Sequence, residues 1–161
     1  MENLKVRLYN SHVEISLRLA KILMGFSPTG LTLEKLICID FFVLNLNDFI
    51  PEQSSLHPAI PRRDSQLAIT RKTFTDALVL MQQYKIVKEN YTKKGIFFTV
   101  TDKTFSFTNA VQNEYVLRME HNINITKKTF GSLNESEMKK LVGSKFGRLD
   151  MEGHCEPLHE N

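Results

Sequence analysis

Pro51, Pro58 and Pro61 all fall between Asn47 and Arg63. Each proline withholds an amide donor and fixes φ, so neither a helix interior nor an inner strand can run through this stretch. A long loop must therefore join the elements on either side of it. Ordered loops of this length are uncommon inside compact domains and are often functional. A chain of 161 residues has room for one well-packed domain with an appended helix, and not for two full cores.

Ahead of the loop the pattern is helical. Ser11 with Glu14 three residues on reads as a capping box opening a helix to about Met24. Glu14, Arg18, Lys21 and Gly25 share one narrow stripe of it, and apolar residues fill the rest, so most of this helix is expected to be buried. Ser27-Pro28-Thr29-Gly30 is a turn by composition. Thr32 then caps a second helix from Leu33 to about Leu46, although Ile37-Cys38-Ile39 and Phe41-Phe42-Val43 also suit a strand.

After the loop, a third helix is expected from Ser65 or Thr70 to Tyr84, with Phe74, Ala77, Leu78, Met81 and Tyr84 on one side. Ile86–Asn90 and Ile96–Val100 flank Tyr91-Thr92-Lys93-Lys94-Gly95 as a β-hairpin. Thr101 or Asp102 caps a further helix carrying Phe105, Val111, Tyr115 and Met119. Asn134 with Glu137 opens the last one, striped by Met138, Leu141, Val142 and Phe146. Three helices followed by a hairpin is the order of a winged helix. The expected fold is mainly α with a small β-hairpin, a winged-helix-like single domain with additional C-terminal helices. Its divisions are residues 1–130 for the winged-helix-like domain, 131–149 for the amphipathic helix and 150–161 for a flexible tail.

Composition narrows the function. With 42% apolar and 24% charged residues the chain is an ordinary globular one. Its longest apolar run, Leu36–Leu46, is interrupted by Asp40 and Asn45 and is too short to span a bilayer. The N-terminal residues lack a secretory pattern, so the expected compartment is the cytoplasm, with Cys38 and Cys155 as free thiols. No phosphate-cradling glycine loop, His-x-x-x-His pair or nucleophile elbow is present. His154, Cys155 and His159 lie in the polar tail, where four convergent ligands on ordered backbone are lacking. No catalytic residue, metal site or cofactor site is therefore assigned, and the chain is read as a non-enzyme.

Two features remain. Asp40 sits inside the apolar run, where an unpaired carboxylate costs several kcal/mol. It is expected either to pair with His57, Arg62 or Arg63, making Asp40 and His57 a clasp for the proline loop, or to face solvent. Charge is also uneven: residues 61–100 hold eight Lys/Arg against three Asp/Glu. Arg62, Arg63, Arg71, Lys72, Lys93 and Lys94 in this region are the candidate contacts to partner carboxylates or DNA phosphates. Helix three carries no evident base-reading cluster, so contact with double-stranded DNA would be to the backbone. The Met138, Leu141, Val142, Phe146 stripe reads as core, or as a helix docking on a partner.

Ser55-Leu56-His57-Pro58-Ala59-Ile60-Pro61-Arg62-Arg63 stands together with Tyr9-Asn10-Ser11, Glu14, Leu17-Arg18, Asp40, Asp48-Phe49, Thr70-Arg71-Lys72 and Ala77-Leu78. Over roughly residues 9–118, this order of motifs resembles the middle component of bacterial three-component ABC-ATPase conflict systems, of the kind found in Lamassu antiphage defence. The resemblance implies a small accessory subunit beside an ABC ATPase of the SMC and Rad50 group and an effector, often a nuclease; the short apolar run adds the expectation of no membrane partner. The contrasting reading is a free-standing winged-helix transcription regulator that dimerises on a palindromic site.

Overall fold

The computed structural model describes residues 11–57, 63–146, 148–149 and 155–156, the side chains of 63–69, 146, 148–149 and 155–156 excepted. Helix α1 spans His12–Phe26. Ser11 caps it in extended backbone, its Oγ accepting from the Glu14 amide at 3.2 Å. Helix α2 spans Leu33–Leu44, capped by Thr32, whose Oγ1 accepts from the Lys35 amide. The β-rich run is helical because it is apolar all round and covered all round. Leu36, Ile39, Phe42 and Val43 are each 0% exposed, which is how a fully buried helix reads.

A single turn, α3 (Leu46–Phe49), opens the proline-rich connection. Asn47 Nδ2 donates to the carbonyls of Pro51 and Gln53, and the amides of Leu56 and His57 both donate to Leu44 O. The first half of the loop is thus tied back onto the end of α2. Residues 58–62, with Pro58, Pro61 and Arg62, lie outside the described residues.

Helix α4 spans Arg63–Gln83, beginning earlier than the sequence suggests. Phe74, Ala77, Leu78 and Met81 point into the core, whereas Tyr84, expected beside them, is 65% exposed. It lies past the last regular turn, where the chain reverses. Lys85 takes φ 58°, the Ile86 amide donates to Met81 O, and the Lys85 amide donates to Gln82 O. This is a Schellman closure with a lysine in the left-handed position usually held by glycine.

Strands β1 (Val87–Thr92) and β2 (Gly95–Val100) form the hairpin, closed by Lys93-Lys94 alone rather than by a five-residue loop. Gly95, at φ 126°, supplies a conformation that a side chain would disfavour. Leu31 bridges Phe98 in both directions, a one-residue third strand between α1 and α2. The order α1, Leu31, α2, α4, β1, β2 is that of a winged helix, with the hairpin as wing.

The single helix expected after the hairpin is two, α5 (Asp102–Asn109) and α6 (Glu114–Phe130). The break comes where Asn113 Oδ1 accepts from the Val116 amide and starts a new helix. Phe105 and Val111, assigned to one apolar face with Tyr115 and Met119, are exposed, while Met119 is fully buried. Helix α7 (Glu135–Phe146) opens with the expected reciprocal box: Asn134 Oδ1 accepts from the Glu137 amide, and Glu137 Oε2 from the Asn134 amide. Met138 and Val142 are buried and Leu141 packs beside them, so these members of the stripe belong to the core. The Phe146 side chain lies outside the described residues. In the stretch where a tail is expected, Cys155–Glu156 (β4) pairs antiparallel with Arg148–Leu149 (β3).

Phe42 of α2 anchors the far end of α6, its ring stacking on Phe130 with centroids 4.5 Å apart. Together α6 and α7 cover α1 and α2, while Lys72, Asp76 and Val79 on the outer face of α4 and Lys93 and Lys94 at the tip of the wing are exposed.

Candidate interaction surface

The polar stripe of α1 is a seam. Glu14 meets Tyr115, Lys21 meets Glu120, and Gly25 lies against Ile123 with its carbonyl accepting from Lys127 Nζ. Both residue numbers climb together, so α1 and α6 run parallel. A Cβ built on Gly25 would sit 2.6 Å from Ile123 Cγ2, so the missing side chain sets the approach of the two helices.

Arg18 is 2% exposed at the centre of this seam. Its Nε and Nη2 donate to the two carboxylate oxygens of Asp40, at 2.5 and 3.2 Å, and its Nη1 donates to Glu14 Oε1 at 2.8 Å. Glu14 Oε1 also accepts from Tyr115 Oη at 2.7 Å, and that hydroxyl lies 2.9 Å from His57 Nε2. Burial alone would lower the Arg18 pKa, but Asp40 and Glu14 more than offset it and hold the guanidinium charged. Burial raises the Tyr115 pKa, and the bond to Glu14 raises it further.

The clasp is therefore built differently from the sequence expectation. Asp40, 3% exposed, takes Arg18 as its partner rather than His57, and the reading of a solvent-facing Asp40 fails with it. His57 still holds the end of the described loop, through Tyr115 and Glu14. Arg118 Nη2 donates to Ser55 O, and Asn122 Nδ2 donates to the carbonyls of Val43 and Ser54. The signal for the loop contacts was available only as residue types, because their partners on α6 lie 58 to 79 residues away.

The basic candidates divide. Arg71 is bound to Glu34, which also faces Lys139 of α7 at 3.7 Å, so Arg71 ties α4 to α2. Lys72 pairs with Asp76 at 2.8 Å along the outer face of α4. That face continues through Val79, 49% exposed, and so presents a neutralised pair and an apolar residue where a DNA-reading helix would present cations. Lys93 and Lys94 occupy the wing tip, exposed and without an acidic partner among the described residues. Arg63 begins α4, and its side chain lies outside the described residues, as does all of Arg62.

No cluster of three metal-capable side chains occurs among the described residues; His154 and His159 lie outside them. Among the same residues no helix is long and apolar enough to cross a membrane. Cys38 is buried in α2; burial pushes its thiol up to about 12, which suits a core residue and not a nucleophile.

The fold is a winged-helix-like domain whose buried charges brace its added helices. No curated protein and no solved structure matches it. Residues 8–152 match the family model of the ABC-three component (ABC-3C) system Middle Component 2, and the chain belongs to that family. As a middle component, it is an accessory subunit of a multi-component ABC system.

Proposed function

We propose that the chain is a non-catalytic scaffold that bridges an SMC/Rad50-like ABC ATPase and a nuclease effector, in an antiphage system of the Lamassu kind. Family membership supports the multi-component setting. The observation that carries the bridging role is the division of the basic residues, which leaves the lysines of the wing tip available. In this reading residues 1–130 present the contact surface, 131–149 brace it through α7, and Lys93 and Lys94 meet carboxylates of a partner component. The outer face of α4, with its Lys72–Asp76 pair, disfavours a transcription regulator reading base edges.

The test is co-purification of the chain with the ATPase and effector encoded beside it, in parental and Lys93→Glu/Lys94→Glu forms. Reversing both charges should weaken assembly about tenfold or more, and phage protection should fall with it. Assembly and protection unchanged by the reversal would remove the wing tip from the interface. Binding to DNA would instead appear as a shift of upstream DNA whose salt slope drops by about two in the double variant.

A further inference from the structure

The wing has an open edge whose chemistry is specific. Phe98 of β2 donates its amide to Leu31 O at 2.8 Å and accepts from the Leu31 amide at 3.0 Å. Both main-chain groups of Phe98 therefore face away from β1. In an antiparallel ladder its opposite residue, Glu89, then belongs to a pair without mutual hydrogen bonds, and the N–H and C=O of Glu89 point off the other side. The period of two puts those of Val87 and Tyr91 on the same edge. Among the described residues, none outside the hairpin supplies a backbone partner to these three.

The same three residues line a groove of about 360 Å³ between β1 and the end of α4, with Gln82, Lys85 and Lys88. A row of unpaired ladder groups is complemented by an extended main chain, which is the basis of recognition by strand addition. Tyr91, 76% exposed, and Ile96 opposite it, 42% exposed, form an apolar shelf beside the edge. Lys85 and Lys88 flank the groove and Lys93 and Lys94 stand at its far end. The one acid there, Glu89, accepts from Tyr91 Oη at 3.1 Å. The complementary segment is thus extended, acidic and apolar at alternate positions. A second copy of the chain is a poor occupant, because it would bring this lysine-rich edge against itself, and like charges across a strand pair destabilise it.

We infer that the free edge of β1 is a strand-addition site for an extended acidic segment of a partner component, whose main chain pairs with Val87, Glu89 and Tyr91. This rests on the reading of the chain as an assembling subunit, and adds where and in what conformation the partner binds. Lys85 and Lys88 then contact its carboxylates, and the Tyr91–Ile96 shelf receives one of its apolar side chains.

The experiment is amide hydrogen exchange on the chain alone and on the complex co-expressed with the ATPase and effector components. The amides of Glu89 and Tyr91 should exchange freely in the isolated chain and slow about tenfold or more in the complex. A variant pair isolates the backbone. Glu89→Pro removes an outward N–H that β2 does not use, as an edge strand tolerates, and Glu89→Ala keeps it. Proline should weaken assembly about tenfold and alanine less than about threefold, with both free variants melting within a few degrees of the parent. If the complex forms and these amides exchange as in the free chain, the strand-addition site is wrong while the bridging role stands. If no complex forms, both fall together. Protection already present in the chain alone, at twice its mass, would assign the edge to a second copy and overturn the proposal.

Discussion

Arg18→Met is the perturbation that most directly tests the buried seam. Methionine approximates the volume of the side chain and removes its charge, leaving Asp40, 3% exposed, without the two hydrogen bonds it receives from Arg18. Glu14 is less stranded, because Tyr115 still donates to it. Removing one partner of a buried pair costs about 3–5 kcal/mol, because the other charge stays desolvated. For a chain of this size each kcal/mol lowers Tm by about 2–4 °C, so the drop should be roughly 6–20 °C. The double variant Arg18→Met/Asp40→Leu removes both charges and should recover to within about 1–2 kcal/mol of the parent. Urea unfolding followed by circular dichroism, for the parent, both single variants and the double, closes the cycle. A single-variant cost under about 1 kcal/mol would show that Asp40 does not depend on Arg18. A double variant as unstable as Arg18→Met would show that the shape of the guanidinium, not charge pairing, holds the seam.

Three further outcomes are set by local geometry. Gly25→Ala should destabilise by about 1 kcal/mol despite the better helix propensity of alanine, because its Cβ meets Ile123 Cγ2; the penalty should shrink in an Ile123→Ala background, and an equal penalty in both would refute the contact. Lys85→Gly should stabilise the free chain by about 0.5–1 kcal/mol in thermal melts by relieving a left-handed lysine, and a loss of stability would contradict that origin. Cys38 has a raised pKa in the folded state, so its contribution is complete below its ordinary value of 9.0 and is lost as pH rises toward about 12. Tm should therefore fall across that window, and fall less steeply in Cys38→Ala; parallel slopes would refute the assignment.

Local chemistry was legible where a residue acts on its neighbours. Ser11, Thr32 and Asn134 each cap the helix that the sequence assigns them, because a cap needs only an oxygen at the right offset from a free amide. The wing was legible as two runs, Ile86–Asn90 and Ile96–Val100, around Tyr91-Thr92-Lys93-Lys94-Gly95, although the strands extend further into that loop than the runs suggest. The break between α5 and α6 was missed because Phe105, Val111, Tyr115 and Met119 have plausible helical spacing throughout. Asn113 was available as a cap in the middle of that pattern, but a cap is decisive only when the chain must turn there, and it is α1 that draws α6 alongside itself.

The candidate site shows the same division. The sequence by itself determined that Asp40 must either find a partner or face solvent, that basic charge concentrates between residues 61 and 100, and that the elements take a winged-helix order. The tertiary structure decided that Asp40 pairs with Arg18, that Arg71 and Lys72 are tied within the fold, and that the edge of β1 meets no further backbone partner among the described residues. The physical reason is that caps, turns and periodicity are set over a few residues. A charged stripe such as Glu14, Arg18 and Lys21 is chemically the same whether it meets water or, a hundred residues later, Tyr115 and Glu120.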